Sequence, residues 1–247
     1  DLDRFDTSSL RQLGVGGAPV SPAVQEQLRA AFPQAGRGLS MGYASTESVS
    51  VVASIAGADF VAHPTATGRV IPTVTVELRD DDGNPVGEGE TGEIHVRSPY
   101  VMLGYWNDPD ATAAVCKPGG WLAMGDVGRM EDGLLFIDSR ARDLILVNAE
   151  NVAPTEVEYR LEAHPAVLEA AVFAVDDDVT GDAVHAAVVV APESTVTPHD
   201  LAAWCAETLA HYKVPTRWSL VTEPLARTAS GKLMKHRIRE QVETASA

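Results

Sequence analysis

Near its C-terminus the chain reads Leu225-Ala226-Arg227-Thr228-Ala229-Ser230-Gly231-Lys232. A polar, glycine-ended loop just before a helix can aim a lysine at a phosphate without burying its charge; the same octet also fits an ordinary surface turn. Three upstream segments hold further residues that could do chemistry: Tyr43-Ala44-Ser45-Thr46-Glu47, Met124-Gly125-Asp126, and Arg140-Ala141-Arg142-Asp143. Tyr43 offers a flat aromatic face, the Thr46 hydroxyl a donor to a phosphate oxygen, and Glu47 a hard oxygen ligand suited to Mg²⁺. Taken alone, that stretch is equally a capped turn with Tyr43 in the core. Asp126 could accept from two vicinal hydroxyls, or simply occupy a Gly-Asp turn. Arg140 fits an anion contact or a surface ion pair with Asp138 or Asp143. Asp143 itself fits a cap. Gly16-Gly17-Ala18-Pro19 lets backbone approach a flat ring, and also reads as a tight turn.

In this fixed order the segments resemble the adenylate-forming superfamily: acyl- and aryl-CoA synthetases, peptide-synthetase adenylation domains and luciferases. The resemblance runs from about Leu10 to the end and covers only the C-terminal part of such an enzyme. These enzymes join a carboxylate to AMP by displacement at the α-phosphate of ATP, then pass the acyl group to a thiol. The first step needs charge stabilisation and alignment. The resemblance implies that Gly17, Ala18, Tyr43 and Ile137 lie against adenine and that Thr46 meets phosphate. It implies that Glu47 holds Mg²⁺, that Asp126 binds the ribose hydroxyls, and that Arg140 contacts ribose and phosphate. Lys232 would bridge the α-phosphate and the attacking carboxylate, with Glu47 its catalytic companion. Asp143 matches the hinge on which the C-terminal lobe swings. Asn148, Ala149, Glu150 and Asn151 match the loop lining the pantetheine side in the thioester step. Ala44, Met124, Asn148, Ala149 and Ala226 stand where the family commonly has Gly, Thr, Gly, Gly and Pro; Ala at 149 tolerates a left-handed backbone poorly. ATP/AMP, Mg²⁺ and coenzyme A are the implied cofactors.

The bulk properties narrow the class. An apolar content of 45% in 247 residues is ample for one or two cores and too high for a disordered chain. Two cysteines, Cys116 and Cys205, make neither a disulfide framework nor a zinc site. A net charge of −16 speaks against nucleic-acid partners. The exception is residues 213–240, where seven Lys/Arg face two acids, which suits a lobe handling triphosphate and CoA phosphates or a solvated helix. Apolar runs are too short for a transmembrane segment, and no signal peptide opens the chain, so a cytoplasmic setting is expected.

The fold expectation is α/β and α+β: a partial N-terminal adenylation domain with a β-rich subdomain, plus a small α+β C-terminal lobe. Residues 1–142 form the end of the AMP-binding domain (1–70 an α/β remnant, 71–142 β-rich), and 143–247 the mobile lobe after hinge Asp143. A helix is predicted over 21–32 with Val24, Leu28 and Ala31 on one face, strands over 74–78, 93–96 and 134–137, and a helix over 154–163. Strands over 167–175 and 183–191 are joined by an acidic loop, 176–182. A helix capped by Thr197 runs to about His211, and a last helix follows Lys232.

The opening reads like mid-domain sequence, so a piece of a longer protein is expected. It lacks the Ser/Thr/Gly-rich triphosphate loop and most of the acyl pocket, and should be inactive alone. The reading is an AMP-forming acyl-CoA synthetase acting on a fatty or aryl acid. It is preferred because no carrier domain follows Lys232 and because His211-Tyr212-Lys213-Val214-Pro215 looks like a CoA-ligase segment. The rivals are a fatty-acyl-AMP ligase or adenylation domain that delivers to a carrier protein, and a non-catalytic interaction module. The truncated sheet leaves an edge that could pair two copies as a homodimer.

Overall fold

The computed structural model describes residues 4–229 and 231–245. Ser230 of the C-terminal octet and the opening Asp1-Leu2-Asp3 lie outside the described residues. The chain divides into two compact units, Asp1–Ile137 and Asp138–Ala247. Both mix sheets and helices, the class the sequence predicts.

The first unit opens with β1 (Leu13–Gly16), α1 (Pro22–Ala31), β2 (Leu39–Tyr43), β3 (Ala53–Ala56), α2 (Gly57–Ala62) and β4 (Arg69–Val70). The strands form one sheet in chain order, with β1 parallel to β2 and the rest antiparallel. Ser21 caps α1 by accepting from Val24 N, and Pro22 starts it, where a missing N–H costs nothing. The inner face of α1 differs from the periodicity. Gln25 is fully buried, while Val24 and Ala31 are exposed and Leu28 is half-buried. The reason is polar: the Gln25 amide donates to Val20 O at 3.1 Å and Pro64 O at 2.6 Å, satisfying two loop carbonyls.

A second sheet follows. It is built from β5 (Thr75–Arg79), β6 (Gly92–Arg97), β7 (Cys116–Lys117), β8 (Trp121–Glu131) and β9 (Leu134–Arg140), with α3 (Pro109–Val115) before β7. Its order is β5-β6-β8-β7, and β9 also pairs β8. Val52 and Ala53 from the first sheet pack with Leu78, Ile94, Val96, Leu122, Met124 and Leu135 from the second, so one core serves both.

The second unit is a five-stranded sheet clad on two faces. Its elements are β10 (Ile145–Val147), β11 (Glu150–Val152), α4 (Pro154–Glu162), β12 (Val167–Asp177), β13 (Gly181–Val190), α5 (Pro198–Ala206), β14 (Arg217–Val221) and α6 (Lys235–Ala245). Strand order is β11-β10-β13-β12, with β14 parallel to β13. Side chains alternate faces along a strand. Ala170, Val172, Val184, Ala186 and Val188 therefore join Val157, Leu161, Leu201 and Cys205 on one side. Ala171, Phe173, Ala187 and Val189 join Ile238 and Val242 on the other. Two-sided burial explains why β12 and β13 read as continuous apolar runs.

Some predicted boundaries move, and the strand expected over 134–137 runs on to Arg140. The β12–β13 ladder continues through Asp176↔Asp182 and Asp177↔Gly181, shrinking the acidic loop. Asp177 Oδ1 makes this tight turn feasible by accepting from Val179 N, Thr180 N and Thr180 Oγ1, each at 3.1 Å. The helix capped by Thr197 has the full capping box with Asp200 but ends at Ala206, short of His211. There Thr208 N and Leu209 N both turn back onto Cys205 O, and a separate 3-10 turn, His211–Lys213, follows.

Two histidines make the fold acid-sensitive. Burial holds the His95 imidazole below its ordinary pKa of 6.5 despite the Glu93 carboxylate 3.2 Å away; burial and then Arg217 and Arg239 do the same for His185. The unfolded chain takes up these protons first. The stability from keeping both rings neutral is therefore fully present above pH 6.5 and drains as pH falls below it toward the folded values. Thermal melts should show a melting temperature that drops between about pH 7 and 5, and a shallower drop in His95→Gln. An identical pH slope in that variant would contradict the assignment to His95.

Candidate active site

The first unit brings several of the candidate residues together at the carboxyl ends of β1 and β2, which run parallel with Gly16 opposite Gly42. In open α/β sheets this is where ligands bind. Gly17, at φ 80°, and Ala18 leave β1 as an exposed turn beside the end of β2, where Tyr43 stands.

The loop after Tyr43 is braced by its own serines. Ser45 N donates to Ser48 Oγ at 2.9 Å and Ser48 N to Ser45 Oγ at 3.1 Å, while Val52 N returns to Tyr43 O at 2.7 Å. The brace leaves Val49 at φ 59°, a costly position for a β-branched residue. Thr46 is exposed at the loop tip and Glu47 half-buried. Glu47 is held twice from outside the loop: its backbone carbonyl accepts from Met102 N at 2.8 Å, and its Oε1 accepts from the Tyr105 hydroxyl at 2.8 Å. That hydrogen bond raises the Tyr105 phenol above its usual pKa, so the proton stays on the tyrosine.

Asp126 sits in the middle of β8, not in a turn. Across from it the ladder slips: Glu93 pairs with Val127 but His95 pairs with Ala123, so Met124-Gly125-Asp126 bulges opposite Ile94. Gly125 takes φ 67°, which a side chain would oppose. A bulge re-aims side chains, and here the Asp126 carboxylate, 6% exposed, accepts from the Tyr43 hydroxyl at 2.5 Å. Two motifs 83 residues apart thus meet directly. Ile137, on β9, packs against the same core cluster as Tyr43.

The remaining candidates belong to the second unit. Arg140 ends β9, exposed. Asp143 closes a 3-10 turn, Ala141–Asp143, with Arg142 Nε 3.8 Å from its Oδ1. Asn148 and Ala149 form the two-residue turn between β10 and β11, at φ 51° and 66°, with Val147 opposite Glu150. Two consecutive left-handed residues define a type I′ hairpin, so the alanine adopts the conformation that the sequence makes expensive. Glu150 and Asn151 are exposed on β11. Lys232 is exposed on a short hairpin: Arg227 bridges Leu233, Thr228 N donates to Lys232 O at 2.8 Å, and Arg227 Nη1 holds Gly231 O at 2.8 Å.

Tyr105 is the residue that sequence reasoning missed, because nothing links it to Glu47 along the chain. A signal existed nearby. Asp108-Pro109 is a helix start, and Asp108 caps α3 by accepting from Ala111 N at 2.9 Å. Thr112 of that helix then takes Tyr105 N on its hydroxyl at 2.9 Å, fixing the tyrosine.

Residues 2–106 match the AMP-binding enzyme family and residues 156–232 the AMP-binding enzyme C-terminal domain. The chain belongs to this adenylate-forming superfamily, of which it represents a C-terminal portion. It is 40% identical over 242 residues to a long-chain-fatty-acid–CoA ligase of Yersinia pestis, covering 98% of this chain and 42% of the ligase. It is 38% identical to a 2-succinylbenzoate–CoA ligase of Bacillus velezensis, covering 94% and 46%. Among solved structures it is similar to the amide bond synthetase McbA from Marinactinospora thermotolerans, with a TM-score of 0.87 at 40% identity, covering 97% of this chain and 49% of that one. The chain therefore spans less than half the length of the relatives it matches.

The strained hairpin gives a direct test. A left-handed alanine costs about 1–2 kcal/mol, and glycine gives back about 0.5–1 kcal/mol of that as extra freedom in the unfolded chain. Ala149→Gly should therefore stabilise the second unit by roughly 0.5–1 kcal/mol, read as a higher denaturant midpoint. A lower midpoint would mean that residue 149 does not hold the turn conformation described.

Proposed function

We propose that this chain is the C-terminal portion of an AMP-forming acid–thiol ligase, an acyl-CoA synthetase acting on a fatty or aryl acid. The observation that supports the reading best is the Tyr43–Asp126 hydrogen bond, which sets an aromatic ring beside a carboxylate aimed by a bulge. An aromatic face and a paired acceptor suit adenine and the ribose diol. Gly17 and Ala18 would border the base, Ile137 would back it, and Thr46 would donate to phosphate.

Glu47 is the carboxylate offered here: among the described residues no cluster of three or more His, Cys, Asp or Glu could hold a metal by itself. That fits Mg²⁺, which commonly takes one or two carboxylates and leaves the rest of its shell to phosphate and water. When bound, the ion would neutralise charge on the triphosphate. Glu47 would hold it, with Tyr105 fixing the rotamer. In adenylation the acid attacks the α-phosphate and pyrophosphate leaves. Lys232 would stabilise the charge growing on the phosphate oxygens and align the carboxylate, and Arg140 would add a second cation on the ribose side. In the second half, CoA sulfur attacks the acyl carbonyl and AMP leaves. Asn148, Ala149, Glu150 and Asn151 would border the pantetheine, and Asp143 would be the joint between the two halves. Carrier-protein or amine acceptors share the first half, and the likeness to an amide bond synthetase keeps the amine acceptor open.

In the intact enzyme Lys232→Ala should slow acyl-adenylate formation by on the order of 10² or more, yet leave thioester formation from preformed acyl-adenylate much less affected. Equal losses in both assays would overturn the role. The 247-residue chain itself should bind AMP weakly by calorimetry and show no pyrophosphate exchange, because half of a preorganised site is a poor catalyst. Turnover at the rate of the intact enzyme would contradict that reading.

A further inference from the structure

The second unit contains a partly buried polar ring that the chemistry above does not use. Among the described residues β12 lies at the edge of its sheet and pairs with β13 alone. Val172 bonds through both its N–H and its C=O to side chains. Val172 N donates to Glu158 Oε1 on α4 at 2.9 Å. Lys235 Nζ, on the first residue of α6, donates to Val172 O at 2.9 Å and reaches the same Glu158 Oε1 at 2.8 Å. One turn later Arg239 Nη2 donates to Ala174 O at 2.7 Å. Two helices thereby close the strand edge with side chains, which protects it from stray pairing.

The ring is costly for so modest a purpose. Glu158 is 8% exposed, and a desolvated ion pair adds little net stability over an apolar packing of the same shape. What it does supply is position. Lys235 follows directly on the hairpin that bears Lys232, whose base is closed by Met234 N on Ala226 O at 2.9 Å. The other leg of that hairpin is tied by Arg227 to Glu169, also on β12, at 3.0 Å. Lys232 is exposed on a loop, so its placement depends on these two roots.

We propose that Lys235 is a positioning residue for Lys232: its half-buried contacts with Glu158 and Val172 fix the root of the hairpin that aims the Lys232 ammonium. This rests on the reading that Lys232 serves adenylation. In the intact enzyme Lys235→Met should lower kcat for adenylation about tenfold, leave the KM for ATP nearly unchanged and largely spare the thioester step. Lys235→Arg, whose guanidinium can span the same carboxylate and carbonyl, should recover most of the loss. Hydrogen exchange should speed up at Gly231, Lys232 and Leu233 in Lys235→Met while Ile238 and Val242 stay protected. If Lys235→Met does not fold, the double variant Lys235→Met/Glu158→Gln removes the unpaired buried charge and should show the same pattern. Unchanged adenylation with unchanged hairpin exchange, or equal loss of both half-reactions, would overturn the proposal. Lys232→Ala, run in parallel, separates the two ideas. If it keeps full adenylation, the role of Lys232 falls, while the exchange data still decide whether Lys235 holds the hairpin.

Discussion

A carboxylate hidden from water ties the two sheets of the first unit together. A polar side chain is expensive to bury without a hydrogen-bond partner. Asp126 accepts from Tyr43, the one standing on a bulge and the other at the end of a regular strand. The bulge at Met124-Gly125-Asp126 turns the acid toward the first sheet, and β2 ends where its tyrosine can answer. Fixing Tyr43 fixes the start of the Ser45–Ser48 brace, which in turn presents Thr46 and Glu47. That hydrogen bond across two sheets links Asp126 and Tyr43 to the loop bearing Thr46 and Glu47, which Met102 N and the Tyr105 hydroxyl hold from outside.

The second unit solves a different problem. Its central strands are apolar on both faces, so burial alone cannot choose their register; a slip of one residue would still bury hydrophobic side chains. The polar contacts break that degeneracy. Asp177 specifies the β12–β13 turn, and Glu158, Lys235 and Arg239 each select one backbone group of the β12 edge. On the first of its faces α4 and α5 are clamped by a reciprocal pair. Trp204 Nε1 donates to Arg160 O at 2.8 Å, Arg160 returns a bond to Trp204 O, and its guanidinium lies 3.6 Å over the indole ring. Hydrophobic surface stabilises this unit, and charged side chains decide which arrangement is populated.

Much of this was legible in the chain. Thr197-Pro198-His199-Asp200 states a capped helix, Ser21-Pro22 another, and the runs in β12 and β13 state buried strands, because each signal is local. The chemistry-bearing segments were also legible as segments. What the sequence hid were features made by distant partners. Gln25 displaced Val24 and Ala31 from the inner face of α1 because two loop carbonyls needed a donor. Asp126 read as an acceptor for vicinal hydroxyls or as an ordinary Gly-Asp turn; the bulge that aims it shows only in the slipped ladder against β6. Tyr105 gave no hint of Glu47, since 58 residues separate them. Ala149 looked incompatible with a glycine turn, yet the flanking pairs Val147↔Glu150 and Leu146↔Asn151 impose the turn and the alanine bears the strain.

The proposed joint at Asp143 can be judged on backbone grounds. The two compact units meet between Ile137 and Asp138, but β9 continues unbroken through that point to Arg140. β9 pairs β8, so a change of φ and ψ inside that strand would disturb ladder hydrogen bonds, each worth about 0.5–1.5 kcal/mol net. Past Arg140 the chain has no such commitment. The 3-10 turn Ala141–Asp143 lies between β9 and β10, and neither pairs across it. The side-chain contact there between Arg142 and Asp143, at 3.8 Å with the arginine largely exposed, is long and solvated, so breaking it costs little. Aspartate also tolerates a change of backbone region better than most side chains. A joint at 141–143 would let the strand carrying Ile137 stay paired while the sheet that begins at Ile145 moves as a body, and the compact-unit boundary a few residues earlier would not itself be the place that bends.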